Sequence, residues 1–121
     1  MDTLALLLSD DFINRTAAPG MPDNRDGMKY FFSEILRPAF PDLQVEIIMM
    51  VAEGDKVVTR KLLKGTHNGP LMGIAPTGKS ITIGVIDIFT VADGQLKEHW
   101  GETGFAAAIA ALQQAFSLRS Q

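Results

Sequence analysis

Asp87 lies in Gly84-Val85-Ile86-Asp87-Ile88-Phe89, a run that is otherwise apolar. A carboxylate buried there without a partner is costly, so it must face a cavity, a partner or solvent. His67 and His99 are the two imidazoles of the chain. An Asp beside a His on an apolar sheet is a general acid/base arrangement, because desolvation and mutual charge bring either group towards neutrality. The same pair can equally be a satisfied buried contact that orients two strands. Arg60 could hold a developing oxyanion or pair with a strand carboxylate. His67, in Gly65-Thr66-His67-Asn68-Gly69, could touch a substrate or cap a strand end. Tyr30 and Trp100 combine a large apolar body with a polar tip; the first can point to a pocket mouth or to water, and core packing is the readier role for the second. Met49, Met50 and Met72 offer adaptable apolar surface that suits a ligand or fills a core.

Other chemistries drop out. With no cysteine there is no thiolate nucleophile, disulfide framework or thiolate zinc site. No phosphate-cradling glycine loop followed by Lys-Ser/Thr, dinucleotide fingerprint or Gly-x-Ser-x-Gly elbow is present. The 11 Lys and Arg against 14 Asp and Glu give a net charge of -3 with no basic cluster, which disfavours nucleic acid. The run Leu4 to Leu8 is too short to span a membrane, and Asp2 precedes it where a signal peptide would carry positive charge. A cytoplasmic protein is expected. At 121 residues, 46% hydrophobic and 21% charged, the chain predicts one globular domain over residues 1–121.

The elements that must position these side chains follow from periodicity. Thr3 to Phe12 is Leu-rich and predicts a short first helix, and Asn14 to Asp26 a loop long enough to form a lip. Met28, Phe31, Phe32, Ile35 and Leu36 share one face of a helix over Arg25 to Arg37, capped by Asp23 or Asn24 and stopped by Pro38. The stripe is read chiefly as core. Strands follow at Leu43 to Val51, Lys56 to Thr66, Ile81 to Val91 and Gln95 to Thr103, with Asn68 to Lys79 a Gly/Pro-rich loop. Thr103 then caps an Ala-rich helix whose Phe105, Ile109, Leu112 and Phe116 share a face. No strand–helix–strand alternation suggests a parallel sheet, so the class is α+β. Register decides whether Asp87 and His99 meet. A two-residue Asp93-Gly94 loop sets Asp87 against Trp100, whereas a three-residue loop with a bulge at Gly94 sets it directly against His99. The second is favoured because it pairs the two polar residues.

The segments Gly65-Thr66-His67-Asn68-Gly69, Gly73-Ile74-Ala75-Pro76-Thr77-Gly78-Lys79, Ile86-Asp87-Ile88-Phe89 and Asp93-Gly94-Gln95-Leu96-Lys97-Glu98-His99-Trp100, in that order, resemble the SnoaL-like polyketide cyclases of the nuclear transport factor 2-like superfamily. The resemblance implies a cone-shaped α+β barrel. Its strongly curved antiparallel sheet would wrap around N-terminal helices, leave one deep apolar cavity, and carry a C-terminal helix. It implies a homodimer packed through the sheets, and ring closure by intramolecular aldol condensation without metal or cofactor. A carboxylate in the cavity would remove a proton next to a carbonyl. Asp87 matches a cavity-facing polar position of the family, His67 its Gly-Thr-His segment, and His99 with Trp100 its His-Trp pair. The family often has Asp after that Trp, taken as the cyclase carboxylate. Here the residue is Gly101, and Arg15 stands where relatives often have His. Glu102 would reach the cavity only if Gly101 marked a bulge.

The leading expectation is therefore cofactor-independent acid/base chemistry, an aldol-type cyclisation or isomerisation of an apolar carbonyl or polyketide-like substrate. Asp87 and His99 would be catalytic; His67, Arg60, Tyr30, Trp100 and Met49 would contact substrate. The alternatives are a small-ligand-binding or dimerisation module on the same scaffold, and epoxide-hydrolase-like chemistry, which needs an Asp-Arg-Asp constellation.

Overall fold

The structure, a computed structural model, describes residues 7–119, with side chains through residue 114. Strand β1 (Leu8–Asn14) leads through a loop to helix α1 (Arg25–Tyr30), a π-helical segment (Phe31–Leu36) and the short α2 (Arg37–Ala39). Strands β2 (Gln44–Glu53), β3 (Lys56–Thr66), β4 (Ser80–Ala92) and β5 (Gln95–Thr103) follow, and α3 (Phe105–Arg119) closes the chain. The class is the α+β one expected. The sheet runs in the order β1-β5-β4-β3-β2 and is open, with β1 and β2 as its edges.

The first helix is not formed where it was expected. Residues 3–6 lie outside the described residues, and Leu8–Asn14 is a strand that pairs parallel with β5. Leucine propensity misled there: Ser9, Asp10 and Asp11 are poor in a helix interior, and tertiary pairing decides the state. The helix at Arg25 starts as expected, with the Asn24 side chain accepting from the Gly27 N–H at 3.0 Å. It does not stop at Pro38. The π-helical segment resets the ladder ahead of the proline, and Pro38 sits in the first turn of α2, where a missing N–H is tolerated. At the other end the Thr103 hydroxyl accepts from the Phe105 N–H at 3.2 Å.

The core joins Leu36, Ala39 and Phe40 to Leu63, Ile83 and Val85 of the sheet, to Leu71 and Ile74 of the long loop, and to Leu112 of α3. Alternation along the middle strand β4 buries Ile83, Val85 and Asp87 and leaves Gly84, Ile86 and Ile88 exposed on the opposite face.

The hairpin between β4 and β5 departs from the expected register. Asp93 and Gly94 form a two-residue turn, with φ of 53° and 73°, between the partners Ala92 and Gln95. The bulge lies farther along: Val91 faces Leu96 but Thr90 faces Glu98, so Lys97 is the extra residue. Asp87 then faces Gly101, and His99 faces Phe89. Asp87 and His99 are diagonal neighbours on one face instead of direct partners.

Candidate functional site

Between the buried face of the sheet, the helical stripe and the 15–24 loop lies a cavity of about 290 Å³. Its walls are apolar: Phe31, Phe32 and Leu36 from the helices, Leu63, Ile83, Val85 and Phe89 from the sheet, with Ala17, Met21 and Pro22 from the loop. The loop expected over Asn14 to Asp26 spans residues 15–24 and forms a lip, and the stripe read chiefly as core also forms a cavity wall. The ionisable side chains in the lining come from adjacent strands, Lys61 on β3, Asp87 on β4 and His99 on β5, with the polar Asn14 of β1 and Thr103 of β5 beside them.

Asp87 Oδ1 is 2.6 Å from His99 Nε2, and Lys61 Nζ is 2.8 Å from Asp87 Oδ2. The lysine contact is an ion pair held at the nearly buried carboxylate. On the far side of the ring, His99 Nδ1 is 2.8 Å from Asn14 Oδ1. That oxygen also accepts from the Thr16 backbone N–H at 3.2 Å, which fixes it as the carbonyl and makes His99 Nδ1 a donor. Nε2 and Oδ1 form the second hydrogen bond of the ring. Asp87 and His99 are only 4% and 8% exposed. Burial pushes the Asp87 carboxyl up, but the His99 hydrogen bond and the Lys61 charge together outweigh it and hold the group below its ordinary value.

Gly101 makes this contact possible. A Cβ there would lie 2.9 Å from His99 Cε1, 3.2 Å from Nε2 and 3.6 Å from Asp87 Oδ1. Its backbone N–H is held by the Thr16 hydroxyl at 2.8 Å. The position where the resemblance leads one to expect a carboxylate is thus one where any side chain would crowd the His99 ring.

The other expected contact residues lie elsewhere. Met49 and Arg60 face each other on the exposed side of the sheet, Arg60 faces Ile86 and Trp100 faces Ile88, because strand alternation that turns Lys61, Asp87 and His99 inward turns these outward. Glu102 faces Ile86 and is exposed there; Gly101 carries no bulge that would turn it in. With Arg60 on the opposite face, the Asp-Arg-Asp arrangement of the epoxide-hydrolase alternative is not assembled in the cavity. Tyr30 is 54% exposed and outside the lining. His67 is fully buried away from the cavity, against Phe40, where its Nδ1 accepts from the Thr77 N–H at 3.2 Å and ties down the 68–79 loop. Burial pushes its pKa down. Arg15 pairs with Glu98 at 2.8 Å near the surface.

Lys61 and Asn14 were not singled out from the sequence. A lysine in Lys56–Thr66 reads as solvent-facing, although Lys61 shares the parity of buried Leu63, which was the available signal. Asn14 falls in the loop that composition predicts, so nothing in the sequence signals its pairing with His99. Among the described residues no group of three or more acidic, His or Cys side chains could hold a metal ion, and no helix is long and apolar enough to cross a membrane.

Comparison with known proteins gives a consistent picture. The sequence model for SnoaL-like polyketide cyclase matches residues 1–115. TsrD from Streptomyces laurentii is similar in structure with a TM-score of 0.79 and 28% identity, over 92% of this chain and 81% of that one. IdmH from Streptomyces antibioticus, assigned as a polyketide cyclase, gives 0.77 and 29% over 93% and 86%. AclR from Streptomyces galilaeus, assigned as a hydroxylase, gives 0.78 and 27% over 90% and 80%. No curated protein matches the sequence significantly.

Proposed function

The chain belongs to the SnoaL-like polyketide cyclase family, and from that premise we propose that it catalyses cofactor-independent proton transfer on a small apolar carbonyl compound, an aldol-type cyclisation or isomerisation. The observation that carries this reading is the nearly buried Asp87–His99 contact at 2.6 Å at the wall of an apolar cavity, with Lys61 beside it. Asp87 takes the proton from the carbon next to a carbonyl. The C–H bond breaks, an O–H bond forms on the carboxyl, and the electron pair moves to the carbonyl oxygen as an enolate. The Lys61 ammonium stabilises that oxygen. The enolate carbon then attacks a second carbonyl of the same molecule, and the proton returns to the new alkoxide; in an isomerisation it returns to a different carbon.

The electrostatics narrow the substrate. A carboxylate held below its ordinary pKa is a weak base. It is suited to a C–H flanked by two carbonyls, which is far more acidic than that of a simple ketone. The cavity of about 290 Å³ sits at the small end of ligand sites. A 1,3-dicarbonyl compound with an apolar body is therefore the substrate class. The test is deuterium incorporation from D₂O into a panel of 1,3-dicarbonyl compounds, followed by NMR. Wild-type protein accelerates exchange and Asp87→Asn lowers it by about 10²–10⁴-fold; equal rates for the two would eliminate Asp87 as the base.

The exposed sheet face supports a homodimer as part of the same proposal. Met49, Val51, Ile86 and Ile88 are all at least a third exposed on that face, and the occupant that matches such an apolar surface is the same surface of a second copy.

A further inference from the structure

Among the described residues two that are not glycine have positive φ, Asp93 at 53° and Met72 at 47°. Each opens a two-residue turn completed by glycine, Gly94 at 73° and Gly73 at 84°. Such turns favour Asn or Asp at the first position, because those side chains tolerate the left-handed region. The 93–94 turn obeys the rule and does not line the cavity. The 72–73 turn breaks it: a long apolar side chain occupies the strained position, it is 56% exposed, and it lines the cavity.

The fold does not require the thioether there. Leu71 and Ile74 are 1% and 7% exposed and exchange backbone hydrogen bonds of 3.0 and 2.8 Å. These buried arms fix the tip of the turn whatever side chain it carries. A residue that breaks a local rule without serving the core is expected where function demands it. We infer that Met72 is a specificity-determining residue, covering an apolar part of the bound molecule that protrudes from the cavity. The inference rests on the cavity being a small-molecule site. Methionine suits the task because its flexible, polarizable chain adapts to an irregular apolar outline, and Met21 and Met28 add to the lining.

The consequence is size selectivity. A ring system that fits within the cavity gains little from Met72, whereas a larger one gains a contact at the mouth. The experiment titrates intrinsically fluorescent naphthol and hydroxypyrene into wild-type protein, Met72→Asn, Met72→Gly and Met72→Leu. Asn and Gly both suit a positive φ, so these variants fold at least as well as the wild type, which thermal melting verifies. The expected result is that Met72→Asn and Met72→Gly weaken hydroxypyrene binding by about ten-fold and naphthol binding by less than about two-fold, while Met72→Leu retains both. Unchanged hydroxypyrene affinity in Met72→Asn, or equal losses for the two probes, overturns the role of Met72 and leaves the cavity reading intact. Absence of binding of either probe to wild-type protein overturns both.

Discussion

At position 101 a single methyl group decides the geometry of the site. In Gly101→Ala the new Cβ meets the His99 ring at 2.9 Å, and the ring cannot yield easily because Asn14 and Asp87 hold its two nitrogens. The expected outcome is about 1–3 kcal/mol of destabilisation, with the Asp87 contact lengthened. Proton NMR of the imidazole N–H groups checks it, since only His67 and His99 contribute; an unchanged His99 spectrum would show that the ring shifts freely. Acid titration tests the carboxylate. The pKa of Asp87 is lowered from 3.8 on folding, so as pH falls from about that value the unfolded chain takes up its proton first and stability drops until the folded group is also protonated. Asp11, Asp42 and Glu98 are lowered as well, so the comparison is with Asp87→Asn. The acid-side loss of stability should be shallower in that variant, and identical slopes in urea denaturation between pH 2 and 5, roughly the span set by carboxylate titration, would contradict the depressed value.

The lip and the helix behind it act as one unit. A Cβ on Gly27 would collide with the Pro22 carbonyl oxygen, so α1 and the loop leave no room for a side chain between them. Gly27→Ala is expected to cost about 1–3 kcal/mol and to lift the Pro22 segment from the cavity, read as a lower Tm with faster amide exchange in residues 15–24; a wild-type Tm would show that the approach is loose. Much at this scale was legible. Lys56–Thr66 and Gln95–Thr103 have the bounds their alternation and turns predict, and the same-face placement of Asp87 and His99 follows from the sequence, though through a bulge at Lys97 instead of one at Gly94. A bulge restores face parity without any composition signal, so the register could be right in effect and wrong in cause. Leu8–Asn14 escapes a periodicity reading because the leucines from Leu4 to Leu8 carry no strand period, and with it goes the partner of His99. Met49, Arg60 and Trp100 show the limit: residue type suggested contact, but parity along each strand, not type, decides which face a side chain occupies.

On the scale of the molecule, the two faces of the sheet have separate tasks, one enclosing the cavity and one exposing Ile86 and Ile88. If the exposed face joins two copies, Ile88→Glu should give a monomer in analytical ultracentrifugation with the cavity-bound probe affinity retained; a wild-type protein that sediments as a monomer across the micromolar range would refute the dimer. The parallel pairing of β1 with β5 has a different consequence. Asn14 and His99 are 85 residues apart in sequence, and the bond between them joins the start of the chain to its last strand. Closing so long a loop is entropically late, and contacts of such separation slow folding. During synthesis the ribosome must pass the 85 residues that separate the two, and β5 after them, before the imidazole finds its support. Asn14 therefore leaves the ribosome long before the ring it holds, and the proposed site is assembled only once β5 has docked against β1.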